Sequence, residues 1–354
     1  MKQNIKIKPG FLLAMLFPFA IGAIVMLALG YEPLDAYREL LKGAFVGNFN
    51  LGTTLEKFCP IFLTALAYCV TSKVRYFNMG VEGCFYLGAL CSAGAGFLIR
   101  GLPWYIHIPV CFLCGVLAGA LWAAIPGALR AYWNVNELCS ALLLNYVAIH
   151  FANYMIAGPW SAKGASSQTV PIQESAALLR IMKPSRANVG LFMAVFLYAA
   201  VFWMFQRTKI GYRLRSTGSN PYFTDYIGVD AKRMVLLAAV LSGAIGGFAG
   251  AIQSLGVYGT IIDGFSNNTA FDGMLASLIA NNSFVQLPAY SFLIAALKTG
   301  ALGMERFTGV PKAMIDTLIP MLILLLSMEG LFESRPGRGR ARKKLGEKRK
   351  EALR

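Results

Sequence analysis

The chain has 354 residues, of which 56% are hydrophobic and 14% charged, against roughly 45–50% and about 25% in soluble globular domains. That balance excludes an ordinary soluble enzyme or binding domain and makes the chain an integral membrane protein. A formal charge of +16 would suit nucleic acid, but the basic residues are strung along loops and a tail beside apolar runs, as anionic lipid and membrane topology require, so no nucleic acid is expected as a partner.

Lys2, Lys6 and Lys8 precede a first apolar run near 11–29. No small-residue cleavage site ends it and further apolar runs follow, so it reads as an uncleaved helix rather than a signal peptide. Runs long enough to cross about 30 Å of hydrocarbon follow near 51–71, 84–99, 108–129, 138–157, 188–206, 234–255, 284–303 and 313–332. A shorter one near 270–280 is, by length alone, either a crossing or a re-entrant half-helix. Charge arbitrates, because Lys and Arg concentrate in short cytoplasmic loops. Ten crossings put the basic clusters Lys2 to Lys8, Lys73 with Arg75, Arg130, Arg207 to Arg233 and Arg335 to Arg354 inside, and leave fewer than half as many basic residues outside. Nine crossings would put the basic tail outside. The expected fold is all-α, a polytopic membrane protein of about ten transmembrane helices, some short or broken, with both termini cytoplasmic. Residues 1–333 form the membrane domain, with an extracytoplasmic loop at 158–187 and a cytoplasmic loop at 207–233, and residues 334–354 form a basic cytoplasmic tail.

In chain order, the first chemical irregularity is Phe77-Asn78-Met79-Gly80-Val81-Glu82-Gly83. It places an amide, a carboxylate and two glycines at the mouth of an apolar segment. A carboxylate facing hydrocarbon is disfavoured by at least a few kcal/mol, so Glu82 faces protein or a water-filled path. Either it accepts bonds from backbone amides or it lines that path. Seven cysteines, at 59, 69, 84, 91, 111, 114 and 139, lie in or beside apolar runs and read as small packing residues. Cys111 and Cys114 have metal-type spacing, but no second pair stands near and His107 and His150 are isolated, so no metal site is expected. Asn136, Glu137 and Asn145 form a second polar group, and Asn145 with Tyr146 can bond either a sugar hydroxyl or a neighbouring helix.

The outer loop carries Pro159, Pro171 and Pro184 and a Ser/Gly/Ala stretch from Ser161 to Ser167. It suits a cap over a pathway, a docking rim or a plain tether. The inner loop, Gly211 to Gly228, contains a helix signal: Ser219 or Asn220 can cap it, Pro221 suits its first position and Gly228 its end. Phe223, Tyr226 and Ile227 then share one apolar face, which either meets a partner or folds back on the membrane domain. Gly243, Gly246, Gly247 and Gly250, like Gly115 and Gly119, permit close helix packing. Asp272, Gly273, Asn281 and Asn282 around the short segment form a third polar group, and Lys298 either snorkels or pairs with an acid. No Gly-x-x-x-x-Gly-Lys-Ser/Thr phosphate loop occurs, so no ATPase resides in this chain.

Phe77 to Gly83 resembles the hallmark segment of permease subunits of ATP-binding-cassette importers for nucleosides and simple sugars, relatives of permeases for ribose and branched-chain amino acids. The resemblance runs through Pro33 to Tyr37, Leu41 to Phe45, Asn134 to Leu138, Leu144 to Tyr146, Gly211 to Gly228, Phe271 to Gly273 and Thr308 to Pro311. Cys84 stands where the family commonly has Gln. The resemblance implies a bacterial plasma-membrane importer subunit that binds no cofactor itself and uses ATP through a cytoplasmic ATPase. It further implies a second permease, identical or homologous, and an extracytoplasmic solute-binding protein as partners beside the lipid bilayer. The inner loop would be the coupling helix inserted into the ATPase, carried by Gly211, Arg215, Gly218, Ser219, Asn220, Pro221, Phe223, Tyr226, Ile227 and Gly228. The candidate pathway residues are Asn78, Glu82, Asn136, Glu137, Asn145, Asp272 and Asn281, because polar groups at broken helices serve hydrophilic solutes. The rival is an ATP-independent transporter or channel with Glu82 or Asp272 as proton site. A ribose-like sugar or an amino acid is the alternative solute. No nucleophile, base and orienting group come together, so an enzyme is not expected.

Overall fold

The computed structural model describes residues 9–162, 164 and 167–321. Twelve α-helices follow in order: α1 Pro9–Ala28, α2 Pro33–Phe45, α3 Asn48–Ser72, α4 Val81–Leu98, α5 Trp104–Trp133, α6 Glu137–Ala157, α7 Gly190–Arg207, α8 Lys209–Ser219, α9 Pro221–Tyr226, α10 Ala231–Ile252, α11 Thr269–Ile279 and α12 Leu287–Thr308. Residues 313–321 are also helical. Among the described residues, β structure is limited to three isolated bridges, so the all-α expectation stands. Seven helices, α3 to α7, α10 with its extension, and α12, are long and apolar enough to cross a membrane, and Phe17–Ala28 and Thr269–Ile279 are shorter apolar helices. The apolar run at 313–332 continues past the described residues, and Lys2 to Lys8, part of the Ser161 to Ser167 stretch and the basic tail lie outside them.

The helix ends follow local chemistry. Asn136 caps α6 by accepting from Leu138 and Cys139 amides, and Asp230 caps α10 by accepting from Arg233. Asn134, left-handed at φ 53°, ends α5 and accepts from Arg130 Nη1 at 2.7 Å. α10 runs on into a π-helical stretch, Gln253–Tyr258, closed by left-handed Gly259.

The chain divides into two units, residues 34–312 and the two chain ends up to 33 and from 313. In the larger unit α4, α5 and α10 pack together, α3 packs on α10, α11 and α12, and α6 lies on α4 and α5. Glycine sets the closeness of that centre: a Cβ on Gly247 would fall 2.2 Å from the Gly115 carbonyl oxygen, and one on Gly88 2.3 Å from the Gly247 Cα. Three backbones therefore touch where side chains would hold helices about 8–10 Å apart. At thirty residues, α5 is about 45 Å long at 1.5 Å per residue. It carries exposed Trp104 and Tyr105 at one end and Tyr132 and Trp133 at the other, the placement of interfacial aromatic belts.

Candidate functional site

The segment between α3 and α4 is a junction of four helices. Asn78 is buried, its Oδ1 accepting from the Gly80 amide at 3.0 Å and its Nδ2 donating to Ser242 Oγ of α10 at 3.1 Å. Asn145 of α6 reaches the same segment: its Oδ1 accepts from the Gly83 amide at 2.8 Å, and its Nδ2 donates to the Met79 carbonyl at 2.6 Å. The Gly83 amide belongs to the first turn of α4, where donors have no partner within the helix, so a side chain from α6 supplies the cap that the α4 sequence lacks.

Glu82, 2% exposed, does the same for α11. Its Oε2 accepts from the Ala270 amide at 3.0 Å and its Oε1 from Ser266 Oγ. A carboxylate at a helix N-terminus satisfies an orphan donor and lies at the positive end of the helix dipole. Asp272, one turn into α11, forms a part-buried ion pair with Lys298 of α12, and Lys57 Nζ of α3 donates to the Lys298 carbonyl at 3.1 Å. Lys298 thus pairs with an acid.

The structure joins Asn78, Glu82 and Asn145 in one knot and links it through α11 to Asp272, while the remaining candidates stand elsewhere. Asn136 is an exposed helix cap, and Glu137 beside it pairs with Arg130 Nε at 3.1 Å. Asn281 is exposed and left-handed at φ 50°. Its neighbour Asn282 offers a carbonyl to Lys73 Nζ at 2.6 Å. In the loop before the knot, burial pushes the Tyr76 phenol above its ordinary range.

The inner loop is two helices rather than one. α8 spans Lys209–Ser219, with Gly211 against the Met204 and Phe205 backbone and Arg215 exposed. Asn220, not Ser219, caps α9, accepting from the Phe223 amide at 3.1 Å. Pro221 takes the first position and left-handed Gly228 follows the end. Tyr222, Phe223, Tyr226 and Ile227 are exposed at 87%, 54%, 90% and 44%. The opposite side is anchored. Buried Thr224 Oγ1 lies 3.2 Å from Ser216 Oγ, and Asp225 Oδ1 accepts from the Ala231 amide at the head of α10 at 2.7 Å. Behind α9, a Cβ on Gly218 would fall 1.8 Å from the Lys73 carbonyl oxygen, so α8 lies directly on the loop that leads to the knot.

The 158–187 loop packs against the helices beside it. Trp160 stacks edge-on to Phe97 at 5.3 Å, Ile172 and Leu178 amides donate to the Gly259 and Leu255 carbonyls, and His107 Nδ1 meets Ser175 Oγ at 2.8 Å. The loop thereby satisfies carbonyls that the π-helical stretch leaves free. Ser266, Ser242, Asp225 and the Gly218 contact escaped sequence reasoning. Only Asp225, as an acid shortly before a helix start, carried a local signal.

The family described as "Branched-chain amino acid transport system / permease component" matches residues 50–328. The guanosine ABC transporter permease protein of Bacillus subtilis is 31% identical over 89% of this chain and 92% of its own. The nucleoside ABC transporter permease protein of Lactococcus lactis subsp. cremoris is 29% identical over 91% of each. A glucose ABC transporter permease protein of Haloferax volcanii is 29% identical over 91% of this chain and 87% of its own. No solved structure matches.

Proposed function

Because the chain belongs to the family of permease components of branched-chain amino acid transport systems, we propose that it is the membrane subunit of an ATP-binding-cassette importer that carries a nucleoside. ATP is hydrolysed by a separate cytoplasmic polypeptide, and this chain binds no cofactor. The carrying observation is α9, a short helix whose apolar rings point outward while Asp225 ties it to α10 and Gly218 seats its neighbour on the Lys73 loop. An exposed apolar face on a helix anchored from behind suits insertion into a partner's groove. Motion of the ATPase would reach α10 through Asp225 and the junction at Asn78, Glu82 and Asn145 through Gly218, switching the opening from one side to the other.

The relatives named for guanosine and nucleosides support the solute class. The one named for glucose supports a simple sugar as the second reading. A gradient-driven mechanism is less well supported, since Glu82 is engaged at the head of α11 and Asp272 is paired with Lys298. The proposed topology has ten crossings with both termini cytoplasmic in a bacterial plasma membrane. A second permease and an extracytoplasmic binding protein complete the assembly. Purification of the tagged chain from its own membrane in mild detergent tests the reading: an ATPase accompanies wild type and is lost from Phe223→Asp. Absence of any ATPase with wild type, even after gentle crosslinking, refutes it.

A further inference from the structure

The outward faces of neighbouring spans differ in chemistry. α5 presents Leu113, Leu117, Leu121 and Ile125, and α7 presents Phe192, Val195, Phe196 and Trp203, apolar throughout as lipid contact requires. α6 presents Leu143, Tyr146, Val147, His150, Phe151 and Tyr154, a spacing that puts all six on one face. Tyr146, 63% exposed, and exposed His150 stand near the middle of this 21-residue helix. Neither has a hydrogen-bond partner among the described residues. A hydroxyl and an imidazole at that depth face protein or water rather than hydrocarbon, and no described residue of 34–312 covers them. Tyr154, nearer the outer end, also suits an interfacial belt, so the argument rests on the two mid-span rings.

We propose that Tyr146 and His150 form a wall of the solute path and select a flat, uncharged heteroaromatic group, the nucleobase, by stacking and hydrogen bonding. The inference rests on the reading of the chain as a nucleoside permease and names what that permease reads. Rings four residues apart lie about 6 Å apart along the helix, giving two successive stations for one base. The phenol and the imidazole ring nitrogens offer both donors and acceptors, matching the mixed donor and acceptor edge of a base. Stacking tolerates any base because every base has a π face, which a simple sugar lacks. On the reverse of the same turn, Asn145 holds the Met79 to Gly83 segment, so a solute on this face sits against the helix that caps α4.

The test uses the whole transporter in its own cell membrane. Uptake of radiolabelled guanosine by wild type comes first: its absence overturns the nucleoside reading and the base-reading inference together. With uptake present, Tyr146→Cys and His150→Cys are made in a Cys139→Ala background, Cys139 being the exposed thiol among the described cysteines. Leu117→Cys and Phe196→Cys serve as lipid-facing controls. A charged, membrane-impermeant thiol reagent should modify positions 146 and 150, guanosine should slow that modification, and the controls should stay unmodified. Failure to label 146 and 150 means the face lies against lipid or is sealed by the second permease. Labelling that guanosine does not slow means a wet wall that reads no base. Either overturns this inference alone. As a check independent of cysteine tolerance, Tyr146→Leu, which removes both ring and hydroxyl, should raise the KM for guanosine roughly tenfold, and Tyr146→Phe, which keeps the stacking ring and loses only the hydroxyl, should raise it by a smaller factor, with membrane abundance equal in both. Equal KM values for the two variants also overturn it.

Discussion

The buried side chains of Asn78, Glu82 and Asn145 find their partners inside the chain, whereas on α9 aromatic rings are exposed and point away from it. Asn78, Glu82 and Asn145 bond to three other segments, while Tyr222 and Tyr226 are nearly fully exposed. In the first arrangement the three side chains are bonded within one chain, so substitutions at them should act on stability. The second is incomplete, so substitutions on α9's outer face should act on assembly and leave stability alone.

The largest effect should come from the pair that extends the buried junction. Removing one partner of a buried ion pair is destabilising by about 3–5 kcal/mol, whereas replacing both with apolar residues is often near neutral. Asp272→Ala should therefore lower thermal stability in detergent and membrane abundance sharply, and Asp272→Ala with Lys298→Met should regain most of the loss. Failure of the double variant to recover would mean that Asp272 or Lys298 holds the fold through contacts other than their pairing. Glu82→Leu comes next. It orphans the Ala270 amide and the Ser266 hydroxyl, at about 1–3 kcal/mol for each unsatisfied group. Glu82→Gln keeps an acceptor for one of them and should lose less. If Glu82→Gln folds like wild type and abolishes uptake, the carboxylate acts in the path as well.

Gly218 joins the two regions and sharpens the contrast. With a Cβ 1.8 Å from the Lys73 carbonyl, Gly218→Ala must push α8 off the loop that leads to Asn78. Uptake should fall by tenfold or more while an ATPase still co-purifies, because the α9 rings are untouched; about 1.4 kcal/mol of misalignment in the switching step is enough for that factor. Loss of the ATPase from this variant would mean that α8 itself is part of the docking surface.

The sequence displayed the periodic and local features well. Apolar runs marked each of the seven spans because hydrocarbon imposes a length and a composition, and the Pro221 to Gly228 signal placed α9 because caps and turns act over a few residues. It was silent on what depends on register between distant helices. Nothing near Glu82 names Ser266 or Ala270 as partners, 184 and 188 residues away, and nothing near Gly218 shows that the Lys73 carbonyl lies behind it. Grouping Asn136, Glu137 and Asn145 by nearness in sequence was misleading for the same reason. Asn145 turns inward to α4, whereas Asn136 caps the exposed start of its own helix and Glu137 pairs with Arg130.

The smallest effect separates two adjacent residues that the sequence left equivalent. Asn220 accepts from the Phe223 amide, and its own carbonyl receives the Thr224 amide and hydroxyl, while Ser219 ends α8 and is exposed. Asn220→Ala removes the side-chain cap at about 1 kcal/mol, a large fraction of what can hold a six-residue helix together. Ser219→Ala should shift stability by less than about 0.5 kcal/mol. Since the exposed rings of α9 need the helix to share one face, fraying it should weaken ATPase retention in detergent several-fold for Asn220→Ala and not for Ser219→Ala, with unchanged thermal stability of the membrane domain in both. Equal retention by the two variants would show that the rings dock without the helix, and that α9 is ordered by its partner rather than by its cap.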